Sequence, residues 1–369
     1  MELLRPTRME IASDNLRTNY RNIKKFVGSG CEVFGIVKAN AYSLGLVPVA
    51  SILRDEGCRR FGVAIPEEAL ALREAGFREE ILVLGASPRR AAEALVSNDI
   101  VSACGDLDFA LALKEASERT GGRARVHIKI DSGMGRTGFL PERSVEAVVA
   151  IKEMGLDVEG AFTHFATADE TDLSYTVWQY GRFMESVDKI RRSGIPLPFL
   201  HACNSAATIH CPQMHLDAVR PGNLFYGLPS GERGRPFPLL PSVSVKTALT
   251  AVRDMPARSG ISYGLRYMTR GDVRIGVLPI GFYDGFTRLF QNVAVLVRGR
   301  RVPVVGSICM DQTMVNLESV PEARTDDEVV IIGRQGDEEI TISELAERLN
   351  TIVAQIVSLF SQRVPRVFV

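Results

Sequence analysis

Between residues 30 and 220 the chain alternates short β-rich runs with helical patterns, and it does so eight times. The runs fall at 33–37, 61–64, 81–84, 100–103, 126–130, 158–162, 199–202 and 218–220. The segments between them carry helix start and stop signals. Residues 66–75, for example, open on Pro66, place Glu67 and Glu68 in the first turn and are followed by Gly76. Eight strand–helix units in roughly 200 residues predict an α/β fold built on a (β/α)8 TIM barrel rather than an open doubly wound sheet.

The texture changes after Leu228. Residues 231–238 form a linker rich in glycine, proline and charge, and helical periodicity then almost disappears. Runs at 243–252, 273–278, 293–297 and 329–332, broken by glycine and proline, predict a C-terminal, mainly antiparallel β-domain. One helix is expected near 343–349, opening on Ser343 as its N-cap. The expected division is a barrel over 8–232 and a β-domain over 233–369 joined by residues 1–7.

Composition narrows the partners. The 369 residues hold 44 basic and 44 acidic side chains, so no bulk field favours nucleic acid or an anionic membrane. Residues 1–30 carry charges throughout and no apolar run, which predicts a cytoplasmic protein with a small-molecule substrate. The six cysteines form no CxxC pair, and the grouping of His210, Cys211, His215 and Asp217 matches no closed zinc set, so no metal is expected.

In a barrel of this kind catalytic groups project from the C-terminal ends of the strands. Read in order, those ends carry Lys38; Leu84; Lys129 and Asp131 with Arg136 beyond; His164; Asn204 and Ser205; and Arg220 with Gly222. The set contains an amine able to form an imine, an imidazole, fixed cations, and hydroxyl and backbone donors suited to a phosphate. Cations near Lys38 would move its pKa towards the neutral form that imine chemistry needs. Pyridoxal phosphate meets these demands.

The motifs resemble those of the alanine racemase family: VKANAY at 37–42, KIDSGMGRTG at 129–138, THFATAD at 163–169, Asn204 and Ser205, VRPG at 219–222, Tyr226 and Gly227, ISYG at 261–264, ICMD at 308–311 and RVPR at 363–366. The resemblance covers nearly the whole chain in the family's order. It implies a pyridoxal-phosphate barrel with a C-terminal β-domain, acting as a homodimer with shared active sites. It implies that Lys38 holds the cofactor through an imine and serves as one catalytic base, and that Tyr263 from the partner subunit serves as the other. Tyr42, Leu84, His164, Asn204, Ser205, Arg220, Gly222, Asn223 and Gln362 would surround the cofactor. Arg136, Met310, Lys129, Cys309 and Phe282 would serve the substrate, with a carbamate on Lys129 orienting Arg136. The implied reaction interconverts L- and D-alanine and supplies D-alanine for peptidoglycan.

The chain departs from the family at four places. Ser43-Leu44-Gly45 stands where the family has Gly-His-Gly; Asn223 stands for an apolar residue; Phe282 and Gln362 each stand for a tyrosine. These changes predict that the reaction type survives while acceptance of a hydroxylated substrate such as serine broadens. The stretch 133–138 is also a literal GxGxxG, the pattern of a nicotinamide-dependent dehydrogenase, but the strand after it ends on Thr163 and His164 where a dinucleotide site needs an acid. Single-barrel carrier proteins lack the β-domain and the opposing tyrosine, and related barrel decarboxylases differ in their phosphate motifs.

Overall fold

The computed structural model describes residues 4–231, 234, 236–291 and 293–369. After an opening strand, β1 (Arg8–Ile11), eight parallel strands close into a barrel: β2 (Glu32–Ile36), β3 (Arg60–Val63), β4 (Glu80–Val83), β5 (Val101–Cys104), β6 (Arg125–Lys129), β7 (Asp157–Phe162), β8 (Leu200–His201) and β9 (Ala218–Val219). β2 pairs with both β3 and β9, which closes the ring. Each run read from the sequence supplies one of these strands. They are apolar on both faces because the barrel interior covers one and the helices cover the other. The helix expected over 66–75 spans Pro66–Glu74, and Gly76 follows it at φ 86°.

The closed end of the barrel is lined by charge in alternating sign. Arg60, at the start of β3, bonds Glu32 of β2 at 3.0 Å and forms an ion pair with Glu80 of β4. Arg125 of β6 bonds Glu159 of β7 at 2.8 Å and reaches Glu80 at 3.5 Å and Asp99 at 3.1 Å. The guanidinium of Arg60 also lies 4.2 Å above the Phe199 ring. This girdle fixes the end remote from the site, so stability and chemistry occupy opposite ends of the barrel.

The second domain is a ten-stranded sheet with a small two-stranded one beside it. Its strands are β10 (Val243–Ala248), β11 (Ala251–Met255), β12 (Gly260–Ile261), β13 (Tyr267–Met268), β14 (Val273–Leu278), β15 (Ala294–Val297), β16 (Arg300–Val305), β17 (Thr313–Asn316), β18 (Glu328–Gln335), β19 (Glu338–Ile340) and β20 (Arg366–Phe368). The large sheet runs β11-β14-β17-β16-β15-β18-β10-β1-β20, with β19 against β18. All its pairings are antiparallel except β1 with β20.

Three local expectations are corrected. Residues 8–11 belong to the second domain's sheet rather than to a barrel unit starting at residue 8. Met9 and Ile11 are fully buried, and their backbone is paired by β10 on one side and β20 on the other. The run 243–252 is two strands, because the chain turns at Leu249 and Thr250 and the halves lie far apart in the sheet order. The late helix spans Ile342–Arg348, and Thr341 caps it: its hydroxyl accepts from the Glu344 N–H at 3.0 Å, while Ser343 already lies inside the helix. A further helix, Val353–Ser358, follows. Of the linker, residues 232, 233 and 235 lie outside the described residues.

Removing the hub of the girdle tests its role. Arg125→Ala leaves the half-buried carboxylates of Glu80 and Glu159 short of a partner, and should cost about 1–3 kcal/mol of stability, read as a lower urea midpoint, with kcat unchanged.

Candidate active site

Strand β2 stops at Ile36, and the amine-bearing residue begins a turn of opposite hand. Ala39, Asn40, Ala41, Tyr42 and Ser43 all have positive φ, at 55°, 54°, 52°, 56° and 69°. Left-handed backbone costs a residue with a Cβ about 1–2 kcal/mol, so the surroundings must fix such a run at many points. They do. Inside the turn Ala41 N–H donates to Val37 O and Ser43 N–H to Ala39 O, both at 2.8 Å. Asn40 Oδ1 accepts from Leu46 N–H at 2.7 Å. The Tyr42 ring lies 4.7 Å from that of Tyr226, whose hydroxyl donates to Ile36 O at 2.8 Å. Glu68 accepts from Asn40 N–H at 2.9 Å, and Arg366 Nε donates to Ser43 O at 2.7 Å.

The loop after β9 meets this turn closely. A Cβ at Gly222 would fall 2.3 Å from the Tyr42 hydroxyl, so only glycine lets the backbone come beside the phenol. Burial pushes the Tyr42 pKa up to about 12, which keeps its O–H a donor. Ser205, buried, opens the short helix Ser205–His210, and Asn204 caps it by accepting from Ala207 N–H at 3.0 Å. Asn204 Nδ2 reaches Phe165 O at 3.3 Å, and Asn223 Nδ2 reaches Ser230 Oγ at 3.2 Å. Leu84 follows β4 and is partly buried.

Arg220, at the end of β9, sets the electrostatics. It is buried, and its Nη2 donates to Thr163 O at 2.7 Å and Ala202 O at 2.9 Å. Its Nη1 lies 2.6 Å from His201 Nδ1, and its Nη2 lies 3.3 Å from His164 Nδ1. A guanidinium only donates, so His201 accepts on Nδ1; the two Nη2 hydrogens go to the carbonyls, and His164 turns its Nδ1 lone pair to the same cation in a longer contact, so each neutral ring carries its proton on Nε2. His201 therefore donates to His127 Nδ1 at 2.8 Å, deeper in the barrel. Burial first, then the charge of Arg220, holds His164 and His201 well below the usual histidine range.

The same effects reach the lysines. Burial lowers the Lys38 pKa, the charges of Arg136 and Arg220 lower it further, and Glu68 opposes them. Burial and Arg220 bring Lys129 down to about 7. Its Nζ is buried, lies 4.8 Å from the Phe162 ring centroid, and has no hydrogen-bond partner among the described residues.

Arg136 stands on the loop that resembles a dinucleotide fingerprint. There the Asp131 carboxylate accepts from the N–H groups of Gly133, Met134, Gly135 and Arg136, at 3.1, 2.7, 3.1 and 2.9 Å. Those amides are spent on an internal aspartate, and the loop aims Arg136 instead of cradling a pyrophosphate.

The remaining candidates lie on the second domain. Tyr263 is 75 % exposed, Phe282 41 % and Met310 53 %; Cys309 is partly buried and Gln362 exposed. The loop of Phe282 rests on that of Cys309 and Met310 through Phe282 N–H to Cys309 O at 3.0 Å and Tyr283 N–H to Met310 O at 3.1 Å. Gly281 permits this contact, since a Cβ there would fall 2.3 Å from Met310 O. Buried Asp284 holds the loop between Arg5 at 2.7 Å and Arg363 at 2.8 Å. Sequence reasoning assigned no part to Glu68, Arg366, His201 or His127. Glu68 was accounted for by the helix start, and Arg366 by the motif containing it.

A lysine pressed towards its neutral form beside fixed cations, at the mouth of a closed barrel, equips an enzyme for imine chemistry on carbonyl carbons. Residues 11–230 match the family model "Alanine racemase, N-terminal domain", and residues 242–368 match "Alanine racemase, C-terminal domain". A relative from Methanococcus maripaludis, named alanine racemase, is 40 % identical over 367 residues, covering 98 % of each chain. One from Halothermothrix orenii, also named alanine racemase, is 40 % identical over 99 % of this chain and 97 % of its own. The fold superposes on the crystal structure of alanine racemase from Bacillus anthracis with bound L-Ala-P at TM-score 0.96 and 37 % identity, covering 100 % of this chain and 96 % of that one. The Clostridium difficile alanine racemase in complex with cycloserine gives TM-score 0.93 at 36 % identity, with coverage of 100 % and 96 %. The chain belongs to the alanine racemase family and is an isomerase; family identity implies a pyridoxal phosphate cofactor.

The depressed amine can be read directly. In cofactor-free chain, an amine-directed reagent should label Lys38 at lower pH than exposed lysines, as followed by peptide mass spectrometry. Arg136→Met removes one of the depressing charges and should move that labelling midpoint up.

Proposed function

We propose that the chain interconverts L- and D-alanine on pyridoxal phosphate, with a second copy of the chain completing each site. The observation that carries this reading is the Lys38 amine, held towards neutrality at the barrel mouth by burial, Arg136 and Arg220. The donor set fits the cofactor: Tyr42 and Ser205 offer hydroxyls to a phosphate, and the absence of a Cβ at Gly222 opens backbone beside Tyr42. In this reading Gly222 and Asn223 add backbone donors. Leu84, Asn204 and Gln362 border the cofactor, and Arg220 donates to the ring nitrogen. When bound, the cofactor supplies an electrophilic aldehyde carbon and a conjugated ring that draws electron density from Cα.

The chain's own groups do the rest. Arg136 binds the substrate carboxylate together with the backbone of Met310 of the partner subunit, while Cys309 and Phe282 of the partner subunit line the entrance. Lys38 Nζ moves a proton at one face of Cα, and the hydroxyl of Tyr263 of the partner subunit moves one at the other. Inversion needs this opposed pair, because a lone base would have to cross the plane. His164, neutral and protonated on Nε2, can donate to a phenolate and so help a tyrosine act as a base near neutral pH. Exposed Tyr263, Leu265, Met268 and Tyr283 on the second domain, and Tyr175 and Trp178 on the barrel, support a docked second copy. Tyr175 donates to Gly133 O at 2.8 Å, which places this barrel patch on the loop that carries Arg136. The proposed setting is cytoplasmic, with D-alanine passing to peptidoglycan.

Lys129 fits a carbamate. A lone pair on its neutral Nζ would attack carbon dioxide with loss of one proton, and the new carboxylate would face the charges of Arg136 and Arg220. Holoenzyme equilibrated with 13C-bicarbonate should give a carbamate 13C signal that Lys129→Ala lacks; its absence from the wild type counts against the modification.

The two-base assignment has its own test. Lys38→Ala should abolish racemisation and the visible band of the bound cofactor. Tyr263→Phe should slow turnover by about 10²–10⁴-fold and incorporate solvent deuterium unequally from L- and D-alanine. Equal incorporation would sink the assignment.

A further inference from the structure

Glu68 sits in the first turn of the helix Pro66–Glu74, where an acid ordinarily caps the helix. One carboxylate oxygen does that work: Oε2 accepts from Ala64 N–H at 2.9 Å, just ahead of the helix. The other leaves the helix altogether. Oε1 accepts from Asn40 N–H, also at 2.9 Å, in the middle of the left-handed turn that follows Lys38. One side chain thus ties the backbone beyond β2 to the backbone beyond β3, across the barrel mouth. Capping accounts for the first bond and leaves the second unexplained.

The turn needs such a tie. Five successive residues with positive φ include three alanine or serine positions and no glycine, and nothing in their side chains favours that hand except at Asn40. A turn relaxed to the ordinary hand would swing both Lys38, which precedes it, and Tyr42, which belongs to it. We propose that Glu68 is a positioning residue for Lys38: its carboxylate, shared between the N–H groups of Asn40 and Ala64, holds the left-handed turn that presents the amine to the site. This deepens the reading of Lys38 given above and rests on it. Among the described residues Glu68 is also the one acid acting on the lysine. The other charged or titratable groups about Lys38 are Arg136, Arg220 and His164. Alanine at position 68 therefore removes charge and brace together, glutamine removes the charge and part of the brace, and a glycine in the turn restores only the brace.

The test compares wild-type holoenzyme with Glu68→Ala, Glu68→Gln and the double variant Glu68→Ala with Ala39→Gly. The readouts are kcat and KM by chiral detection, amide hydrogen exchange over residues 37–46, and the pH midpoint of the cofactor's visible band. Glu68→Ala should lower kcat about a hundredfold, the scale of an ångström of misplacement, with KM changed far less and exchange at Asn40 faster. Ala39 is exposed, so glycine there removes no packing, and it should recover about fivefold of the loss because glycine takes positive φ freely. Glu68→Gln keeps one acceptor and should lose about tenfold. It should also shift the band's midpoint to lower pH, since Arg136 and Arg220 then act unopposed. Wild-type kcat and exchange in both single variants overturn the proposal, as does a double variant no better than Glu68→Ala. If Glu68→Ala fails to fold by circular dichroism, Glu68→Gln decides on the same terms. A wild-type holoenzyme whose visible band borohydride does not bleach would overturn the reading of Lys38 instead, and the exchange at Asn40 would still report on the brace.

Discussion

Arg220 is buried and, among the described residues, forms no ion pair. Its charge rests on the carbonyls of Thr163 and Ala202 and on the His201 ring. Even so, burial brings it down only to about 10, so it stays cationic at neutral pH. A charge that is not neutralised locally acts on its neighbours through a medium poorer than water at screening. Among the groups it acts on are Lys38, Lys129, His127, His164 and His201. An aspartate in its place would reverse the sign of its own contribution, drawing the lysines and histidines back up against the burial that lowers them. The choice of a cation at the end of β9 thus reinforces what burial begins, and both hold these groups towards their neutral forms.

The barrel holds that cation in place through its own inner layer. His201 stacks on Phe162 at 4.8 Å with the rings 6° from parallel, and passes its Nε2 proton to His127. His127 is pressed by burial down to about 3, so it too stays neutral. The direction of the chain is settled at one end, since arginine cannot accept a proton, and the two imidazoles follow in turn. Below them the girdle of Arg60 and Arg125 closes the barrel with paired charges. Paired charge at the floor and unpaired charge at the mouth divide the work between the two ends.

Much of this was legible. Eight apolar runs between helix signals specify a closed parallel barrel, and the rule that chemistry gathers at the strand ends picks out Lys38, His164 and Arg220. What was hidden depends on contacts distant in sequence. VKANAY contains no glycine, so nothing local announces a left-handed turn; its hand comes from Glu68, Tyr226 and Arg366, which lie 28, 184 and 323 residues beyond their partners Asn40, Tyr42 and Ser43. Strand β1 was hidden for the same reason. Its four residues become a strand only between β10 and β20, near the two ends of the other domain. The cap at Thr341 was missed by two residues because threonine and serine carry the same signal, and only backbone geometry separates them.

The departures from the family pattern bear unequally on the site. Leu44, in place of a histidine, is fully buried in the core, and Gly45 beside it keeps its positive φ of 115°. That change exchanges a polar contact for packing beneath the turn. Asn223 spends its amide N–H on Ser230, which turns its donor towards the loop that follows. Phe282 lacks a hydroxyl, but Tyr283 next to it is 59 % exposed, with the Arg363 guanidinium 4.9 Å from its ring centroid. Gln362, also exposed, differs in its place, on the segment that Arg366 ties to the lysine turn through Ser361, Val364 and Ser43. An amide at that place offers a separate donor and acceptor, whereas a phenol offers a single hydroxyl. The expected tolerance of a hydroxylated side chain is therefore referred first to position 362, the one of the four departures that exchanges a phenol for an amide.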